Sequence, residues 1–289
     1  MMLCRKCGTR LTVIDADQEY HPNCIPEHTK LPGTSMSLYE MELKEEMLEF
    51  IQWTNFDSPR SRQVLLGCSE AGVECDRRIA YSMIGHEVRN FPDPLKALMG
   101  TAFHHLMDDG VRKWQEVHNS HDWLTETEVW PAKFLKGHVD LYSKSRKLVL
   151  DWKTTSAEIL KKWAKEGIPQ QYLIQVMLYG KGIINAGYEV ERVGIVGVSR
   201  SGTLRDVQVL TLPYDPQIVI DALRRVWQIG KTASELDLEN ASSRFAEIPA
   251  TPSYMTCSYC PFYRGGTRPA DGTGCPGKNL DSTVDGLFN

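Results

Sequence analysis

The chain has 289 residues, a formal net charge of −4 and eight cysteines. This length suffices for one substantial domain with a small appendage. No apolar run approaches the roughly 20 residues of a membrane span, so we expect no membrane partner. Cysteine spacing typical of metal sites, with no secretory signal before it, predicts a cytoplasmic protein. The negative net charge requires that any nucleic-acid partner meet a local basic surface.

Two pairs of metal-ligand residues lie near the N-terminus, each pair spaced by two residues and the pairs separated by thirteen. This spacing predicts a zinc ribbon over residues 1–30. Its predicted Zn²⁺ ligands are Cys4, Cys7, His21 and Cys24. His28 is an alternative to His21. A segment this short cannot bury a core, so the metal would supply its folding energy and the module would dock DNA or protein.

Two helices are predicted next in the chain. Residues 31–66 are expected to be a helical linker, because apolar residues recur at helical spacing over 38–53. Asp93 followed by Pro94 then predicts the start of a second helix, which continues through Leu106. Gly100 and His104 share a face of that helix. Glycine inside a helix costs about 1 kcal/mol relative to alanine, so we expect a close approach at Gly100.

A hairpin is predicted from an alternating strand over 134–142, a polar turn and an apolar strand over 149–153. A loop of two or four residues pairs positions whose numbers sum to 291, so Asp140 faces Asp151 and His138 faces Lys153. Facing carboxylates repel each other, and a divalent cation would cancel that repulsion. Two acids and a lysine around a metal are typical of phosphodiester hydrolysis. The alternative is a solvated hairpin with scattered charges.

A polar stripe of Gln171, Gln175 and Tyr179 marks an otherwise apolar helix that is expected to end near 185–187. The stripe is either the solvated side of an amphipathic helix or a set of donors aimed at metal-bound water or phosphate. Strands over 190–199 and 204–212, and a helix after Asp215, complete the pattern. The elements predict an α/β fold with a mixed central sheet flanked by helices.

The motifs form an ordered series: G-x-x-x-H ending at His104, G-x-x-D at Asp140, D-x-K at Asp151 and Lys153, and Q-x-x-x-Y ending at Tyr179. This order resembles the RecB-type nucleases of the PD-(D/E)xK superfamily over residues 67–276. The resemblance implies a restriction-endonuclease-like fold and Mg²⁺ or Mn²⁺ held by three side chains and one main-chain carbonyl. The implied metal ligands are His104, Asp140, Asp151 and the carbonyl of Trp152. It also implies that Lys153 is the catalytic lysine, and that Gln175 and Tyr179 support the site and contact substrate.

The remaining cysteines also resemble part of that family. One cysteine precedes the G-x-x-x-H helix and three follow the nuclease core, as in the iron–sulfur branch with AddB-type nuclease domains and CRISPR-associated RecB-like exonucleases. The resemblance implies a 4Fe–4S cluster on Cys75, Cys257, Cys260 and Cys275. Spacing alone cannot choose between an iron–sulfur cluster and Zn²⁺. Cys68 could replace Cys75, or could be a small buried apolar residue. Residues 277–289 are expected to form a flexible tail.

The resemblance implies a DNA exonuclease that acts on single strands or DNA ends in recombination, repair or replication. No G-x-x-x-x-G-K-[ST] motif is present, so a helicase partner would do any unwinding. A recombinase or integrase is the other expected partner, and a phage origin, with function in the bacterial host cell, fits the family context. Two alternatives stay open: a non-catalytic DNA-binding or assembly subunit, and a trimming nuclease that works beside a CRISPR integrase.

Overall fold

The structure is a computed structural model that describes residues 37–56, 66–251, 254–266 and 268–277. It divides into two compact units, Met1–Arg62 and Gln63–Asn289. The predicted zinc ribbon, with Cys4, Cys7, His21 and Cys24, lies outside the described residues. Most of the predicted tail does so as well. The described part of the first unit is helix α1, Leu38–Phe56, which lies within the predicted helical linker.

The second unit contains a central sheet and the helices that flank it. Its helices are α2 (Cys68–Ala71), α3 (Asp76–Met83), α4 (Leu95–Val117), α5 (Ala157–Glu166), α6 (Gln170–Asn185), α7 (Pro216–Glu235) and α8 (Tyr254–Ser258). Its strands are β1 (Trp123–Ala132), β2 (Leu135–Ser143), β3 (Leu148–Thr155), β4 (Arg192–Ser199) and β5 (Gln208–Pro213). Short 3-10 helices span Leu204–Asp206 and Ser242–Glu247.

The five strands lie in the order β1-β2-β3-β4-β5, and β3 and β4 are the parallel neighbours among otherwise antiparallel pairs. Helices α5 and α6 form the crossover that joins β3 to β4, as parallel neighbours require. Alternate residues of β3 enter different apolar clusters: Val149 packs in the main core with Met177 of α6, and Leu150 packs in a smaller cluster with Val111 of α4. The protein therefore has the predicted mixed α/β fold.

The predicted hairpin register is confirmed. Leu141 pairs with Leu150 and Ser143 with Leu148, so paired numbers sum to 291 around a four-residue turn. The β2–β3 ladder ends at Leu141 and Leu150, so the expected pairs of Asp140 with Asp151 and of His138 with Lys153 are not part of it.

Local capping signals explain where the helices begin and end. The Asp93 carboxylate accepts a hydrogen bond from the Leu95 amide at 2.9 Å, and α4 starts there but runs well beyond Leu106. Asp215 caps α7 in the same way. Helix α6 ends at Asn185, and Gly187 follows it with a φ of 92°. Part of the predicted strand over 204–212 is instead a 3-10 helix.

None of the helices in the described residues combines the length and the apolar character that a membrane crossing needs.

Candidate active site

Asp140 and Asp151 lie where β2 and β3 diverge, and both are buried, with 6% and 1% of their surface exposed. The Asp140 Oδ2 accepts a hydrogen bond from the Trp152 amide at 2.6 Å. This bond takes the place of the missing ladder contact and attaches the Asp140 side chain to β3. On the other side, the Asp151 Oδ1 accepts a hydrogen bond from Gln175 Nε2 at 3.1 Å. Both carboxylates are thereby fixed in orientation.

Lys153 neutralises part of this buried charge. Its Nζ lies 2.5 Å from Asp151 Oδ2, although that oxygen accepts no well-directed hydrogen bond from any described residue. Burial raises the pKa of Asp151 and the Asp140 charge raises it further, while the Lys153 ammonium opposes both effects. A buried carboxylate is costly to ionise unless a positive charge lies close to it. It is a suitable ligand for a cation.

The Lys153 ammonium is held in one position by its neighbours. It donates a hydrogen bond to Gln175 Oε1 at 3.1 Å and lies 4.6 Å from the centre of the Tyr172 ring. The ring face attracts the ammonium through a cation–π interaction. Gln175 thus contacts both residues of the D-x-K motif, accepting from the lysine and donating to the aspartate. It sets their relative positions.

His104 reaches the same site from α4. Its Nδ1 lies 3.3 Å from Asp140 Oδ1, and its Nε2 lies 3.1 Å from the Trp152 carbonyl oxygen. Burial opposes protonation of the ring, but the hydrogen bond to Asp140 and the charge of Asp140 outweigh it and raise the pKa of His104. The structure therefore brings together all four predicted metal-binding residues: His104, Asp140, Asp151 and Trp152.

Tyr179 supports the site from behind. Its hydroxyl accepts a hydrogen bond from Gln175 Nε2 at 2.9 Å, and the side chain is buried. Burial, together with the charges of Asp151 and Asp140, raises the pKa of Tyr179 well above its ordinary value, so the phenol stays neutral. Gln171, the third residue of the polar stripe, lies apart from the site and donates to the Ser69 carbonyl at 3.1 Å.

The glycine of the G-x-x-D motif makes room for that tyrosine. A methyl group at Gly137 would lie 2.7 Å from Tyr179 Cε1 and 2.7 Å from Cys68 Sγ, much closer than van der Waals contact. At Gly100, by contrast, no described residue of the protein makes the expected close approach. A methyl group there would meet the Thr154 Oγ1 at 3.6 Å, which is an ordinary contact.

Glu126 is a site residue that the sequence analysis did not identify. A donor atom of Glu126 lies within 4.8 Å of donor atoms of both His104 and Asp140. Strand β1 was not predicted, because residues Thr125 to Glu128 include no apolar side chain that would mark a buried face. The signal that identifies it is the register of β1 against β2, which brings Glu126 opposite Asp140 and which no local pattern reveals.

A second cluster of candidate ligands lies at the C-terminal end of the described chain. Cys75, Cys257, Cys260 and Cys275 line one cavity, together with Arg78, Tyr81 and Tyr263. Cys68 is elsewhere: it is buried against β2, with its Sγ 3.5 Å from the Lys136 carbonyl oxygen. Burial raises the pKa of Cys68 to about 12. The geometry thus separates Cys75 from Cys68, two residues that spacing could not separate.

Hydrogen bonds join this C-terminal segment to α3. Arg77 is buried and donates to Cys275 Sγ at 3.7 Å and to the carbonyls of Ile248 and Ala246 at 3.0 Å and 3.1 Å. The Cys275 amide in turn donates to the Phe262 carbonyl at 2.8 Å. The long interval between Cys260 and Cys275 is therefore a loop that returns beside its own start.

Comparisons with known proteins find no matching protein-family model and no matching curated sequence. Among solved structures, the chain is similar to the alkaline exonuclease LHK-Exo from Laribacter hongkongensis, with a TM-score of 0.44 and 9% identity over 63% of this chain and 93% of that chain. For LHK-Exo in complex with dAMP, the TM-score is 0.42 and the identity 12%, over 62% and 92% of the two chains. A phage-related exonuclease from Haemophilus somnus 129PT gives a TM-score of 0.40 and 18% identity, over 57% and 82%. At these low identities, a function for this chain has to be argued from its own site.

Proposed function

We propose that this protein is a metal-dependent deoxyribonuclease of the RecB-type PD-(D/E)xK class, an exonuclease that hydrolyses the phosphodiester bonds of DNA. The observation that carries the proposal is the convergence of His104, Asp140, Asp151 and Lys153 from two strands and a helix. Packing of the sheet does not require two buried carboxylates at this point. A bound divalent cation that takes part in phosphodiester hydrolysis does require them.

The donor set fits Mg²⁺ or Mn²⁺. One imidazole nitrogen, carboxylate oxygens and a main-chain carbonyl are ligands that these ions accept. The Asp140 Oδ1 and the Trp152 carbonyl oxygen both face the His104 ring, at 3.3 Å and 3.1 Å from its nitrogens. His104, Asp140, Asp151 and the Trp152 carbonyl would hold the ion. When bound, such an ion polarises a phosphate oxygen and lowers the pKa of a water ligand.

The chain's own residues perform the remaining tasks. Lys153 brings an ammonium that can donate a hydrogen bond to the attacking water or to the phosphate oxygen on which charge develops. Gln175 keeps that ammonium beside Asp151, and Tyr179 keeps the Gln175 amide in the required orientation. In this proposal the last two residues position the D-x-K motif.

Basic residues that follow the D-x-K strand support DNA as the substrate. Lys161, Lys162 and Lys165 are exposed on α5, the helix that directly follows β3. Their charges can track a phosphate backbone, so a negative net charge does not preclude DNA binding. The proposed substrates are single strands or DNA ends, and a helicase, recombinase or integrase partner would present them.

We further propose that Cys75, Cys257, Cys260 and Cys275 hold a 4Fe–4S cluster. The shared cavity supports this assignment. The choice of an iron–sulfur cluster over Zn²⁺ rests on the resemblance of the cysteine pattern to the iron–sulfur branch. A structural Zn²⁺ in the N-terminal ribbon completes the proposal.

Cleavage of end-labelled single- and double-stranded DNA in Mn²⁺ tests the function, with anaerobically purified wild-type protein beside Asp151→Asn. We expect a ladder of products from the wild type, and at least a roughly 100-fold loss of rate in the variant, because one ligand and one buried charge are removed. DNA binding without any metal-dependent cleavage would overturn the proposal and favour an assembly subunit.

A further inference from the structure

Glu126 and Asp140 lie opposite each other where the β1–β2 ladder is interrupted. Thr125 pairs with Leu141 and Thr127 pairs with Val139, but Glu126 itself has a φ of 44°. That left-handed conformation is uncommon for a residue other than glycine, and it costs on the order of 1–3 kcal/mol at a non-glycine position. The interruption leaves the Glu126 carboxylate within 4.8 Å of donor atoms of Asp140 and His104.

The electrostatics of this position are unfavourable without a cation. Glu126 is half-buried, and its carboxylate lies within 4.8 Å of a donor atom of the buried Asp140. Two carboxylates held this close repel each other, and a divalent ion between them removes the repulsion.

The chemistry of the set indicates the ligand. An imidazole nitrogen and two carboxylate oxygens from His104, Glu126 and Asp140 are a donor set for a divalent ion such as Mn²⁺ or Mg²⁺. On the other side of Asp140, the Lys153 ammonium lies 2.5 Å from the buried Asp151 Oδ2, so it neutralises that carboxylate rather than Glu126. Asp140 keeps Oδ1 toward His104, since the Trp152 amide holds its Oδ2.

We infer that Glu126 is a metal ligand of the active site, which binds a divalent cation together with His104 and Asp140. This inference rests on the proposed metal-dependent function. It extends the ligand set beyond the motifs to a residue of β1. It also explains the backbone of β1: the metal would compensate the strain at Glu126 that the free chain bears.

The experiment is Mn²⁺ titration by calorimetry, with electron paramagnetic resonance of bound Mn²⁺ as a second readout. It compares wild type, Glu126→Gln, Asp140→Asn and the matched control Glu128→Gln. Glu128 is two residues away on the same strand, but it contacts Lys136 at 2.6 Å and Trp130 at 3.0 Å. Each amide has the size of the acid that it replaces, so all three variants should keep the fold, which circular dichroism checks.

We expect Glu126→Gln to weaken Mn²⁺ binding at least tenfold and to alter the Mn²⁺ resonance, with Glu128→Gln unchanged. Without metal, Glu126→Gln should melt at a higher temperature than wild type, because a repulsive charge is gone. If Glu126→Gln binds Mn²⁺ with wild-type affinity while Asp140→Asn does not bind it, the inference about Glu126 is overturned and the proposed function is not. Absence of Mn²⁺ binding by the wild type would overturn the proposed function as well.

Discussion

The two motif glycines make a matched pair for a stability experiment, because the same substitution should have opposite effects. In Gly137→Ala, the new methyl group would lie 2.7 Å from Tyr179 Cε1 and 2.7 Å from Cys68 Sγ, both on buried side chains. Inserting a methyl group into a packed core costs about 1–3 kcal/mol. In Gly100→Ala, the nearest atom is Thr154 Oγ1 at 3.6 Å, so the substitution gains up to about 1 kcal/mol of helix propensity.

For a domain of this size, 1 kcal/mol shifts the melting temperature by about 2–4 °C. Thermal unfolding at one fixed scan rate should therefore place Gly137→Ala about 2–12 °C below wild type and Gly100→Ala at or a few degrees above it. Adding Cys68→Ala to Gly137→Ala removes one of the two clashes and should restore part of the loss. A Gly137→Ala protein as stable as wild type would refute the packing argument.

A DNA cleavage assay detects a second effect of Gly137→Ala, distinct from the loss of stability. Gly137→Ala also pushes Tyr179 away from its hydrogen bond to Gln175. We therefore expect DNA cleavage to fall even at temperatures where the variant is fully folded. A Gly100→Ala protein that is more stable yet inactive would show that DNA, rather than the protein itself, approaches the helix at that glycine.

Three further predictions concern the network behind the site, the cysteines and Arg77. Tyr179→Phe removes the hydroxyl that orients Gln175, so the free energy of unfolding measured in urea should fall by about 0.5–1.5 kcal/mol. The same variant should lower kcat more than it raises KM, and an unchanged kcat would contradict the positioning role. Cys75→Ser should lower the iron content of anaerobically purified protein and its absorbance near 400 nm by at least about half, whereas Cys68→Ser should not; equal iron loss in both would contradict the assignment. Arg77→Lys keeps the charge but cannot keep all the buried hydrogen bonds, so it should destabilise the fold by about 1.5–3 kcal/mol. A loss of less than about 0.5 kcal/mol would show that those hydrogen bonds contribute little to stability.

Short-range rules predicted the hairpin well because its determinants are local. The polar turn and the apolar residues on each side set the register through Leu141 and Leu150, whereas the expected pair of Asp140 with Asp151 lies just beyond the observed ladder. Capping by Asp93 and Asp215 is equally local, since each side chain bonds an amide two residues ahead. The order of the sequence motifs predicted that His104, Asp140, Asp151 and Lys153 share one site, and the structure brings these side chains together.

Strand β1 and Glu126 could not be predicted for a physical reason. The strand contains a residue in the left-handed conformation and a register shift between Val129 and Ala132, so a regular period of two does not express its pairing. Arg77 is a similar case: it follows Cys75 in a polar run that is typical of a helix surface, and its carbonyl partners Ala246 and Ile248 are far away along the chain. Contacts over that distance depend on the whole fold.

For Cys68, the alternative that it is a small buried apolar residue agrees with the structure. Its sulfur is buried and lies beside the position where Gly137 lacks a side chain. Nothing in the spacing distinguished this packing role from a ligand role at Cys75. The three-dimensional arrangement does, because only Cys75 lines the cavity that the three C-terminal cysteines share.

The most direct test of the central claim pairs two measurements on Lys153→Met: Mn²⁺ affinity and single-turnover cleavage of end-labelled DNA. Lys162→Met, on an exposed part of α5, is the matched control. If Lys153 assists the chemistry beside a metal held by other residues, Mn²⁺ binding should stay within a few-fold of wild type while cleavage falls about 10²–10⁴-fold. Cleavage at the wild-type rate by folded, Mn²⁺-bound Lys153→Met would contradict the account.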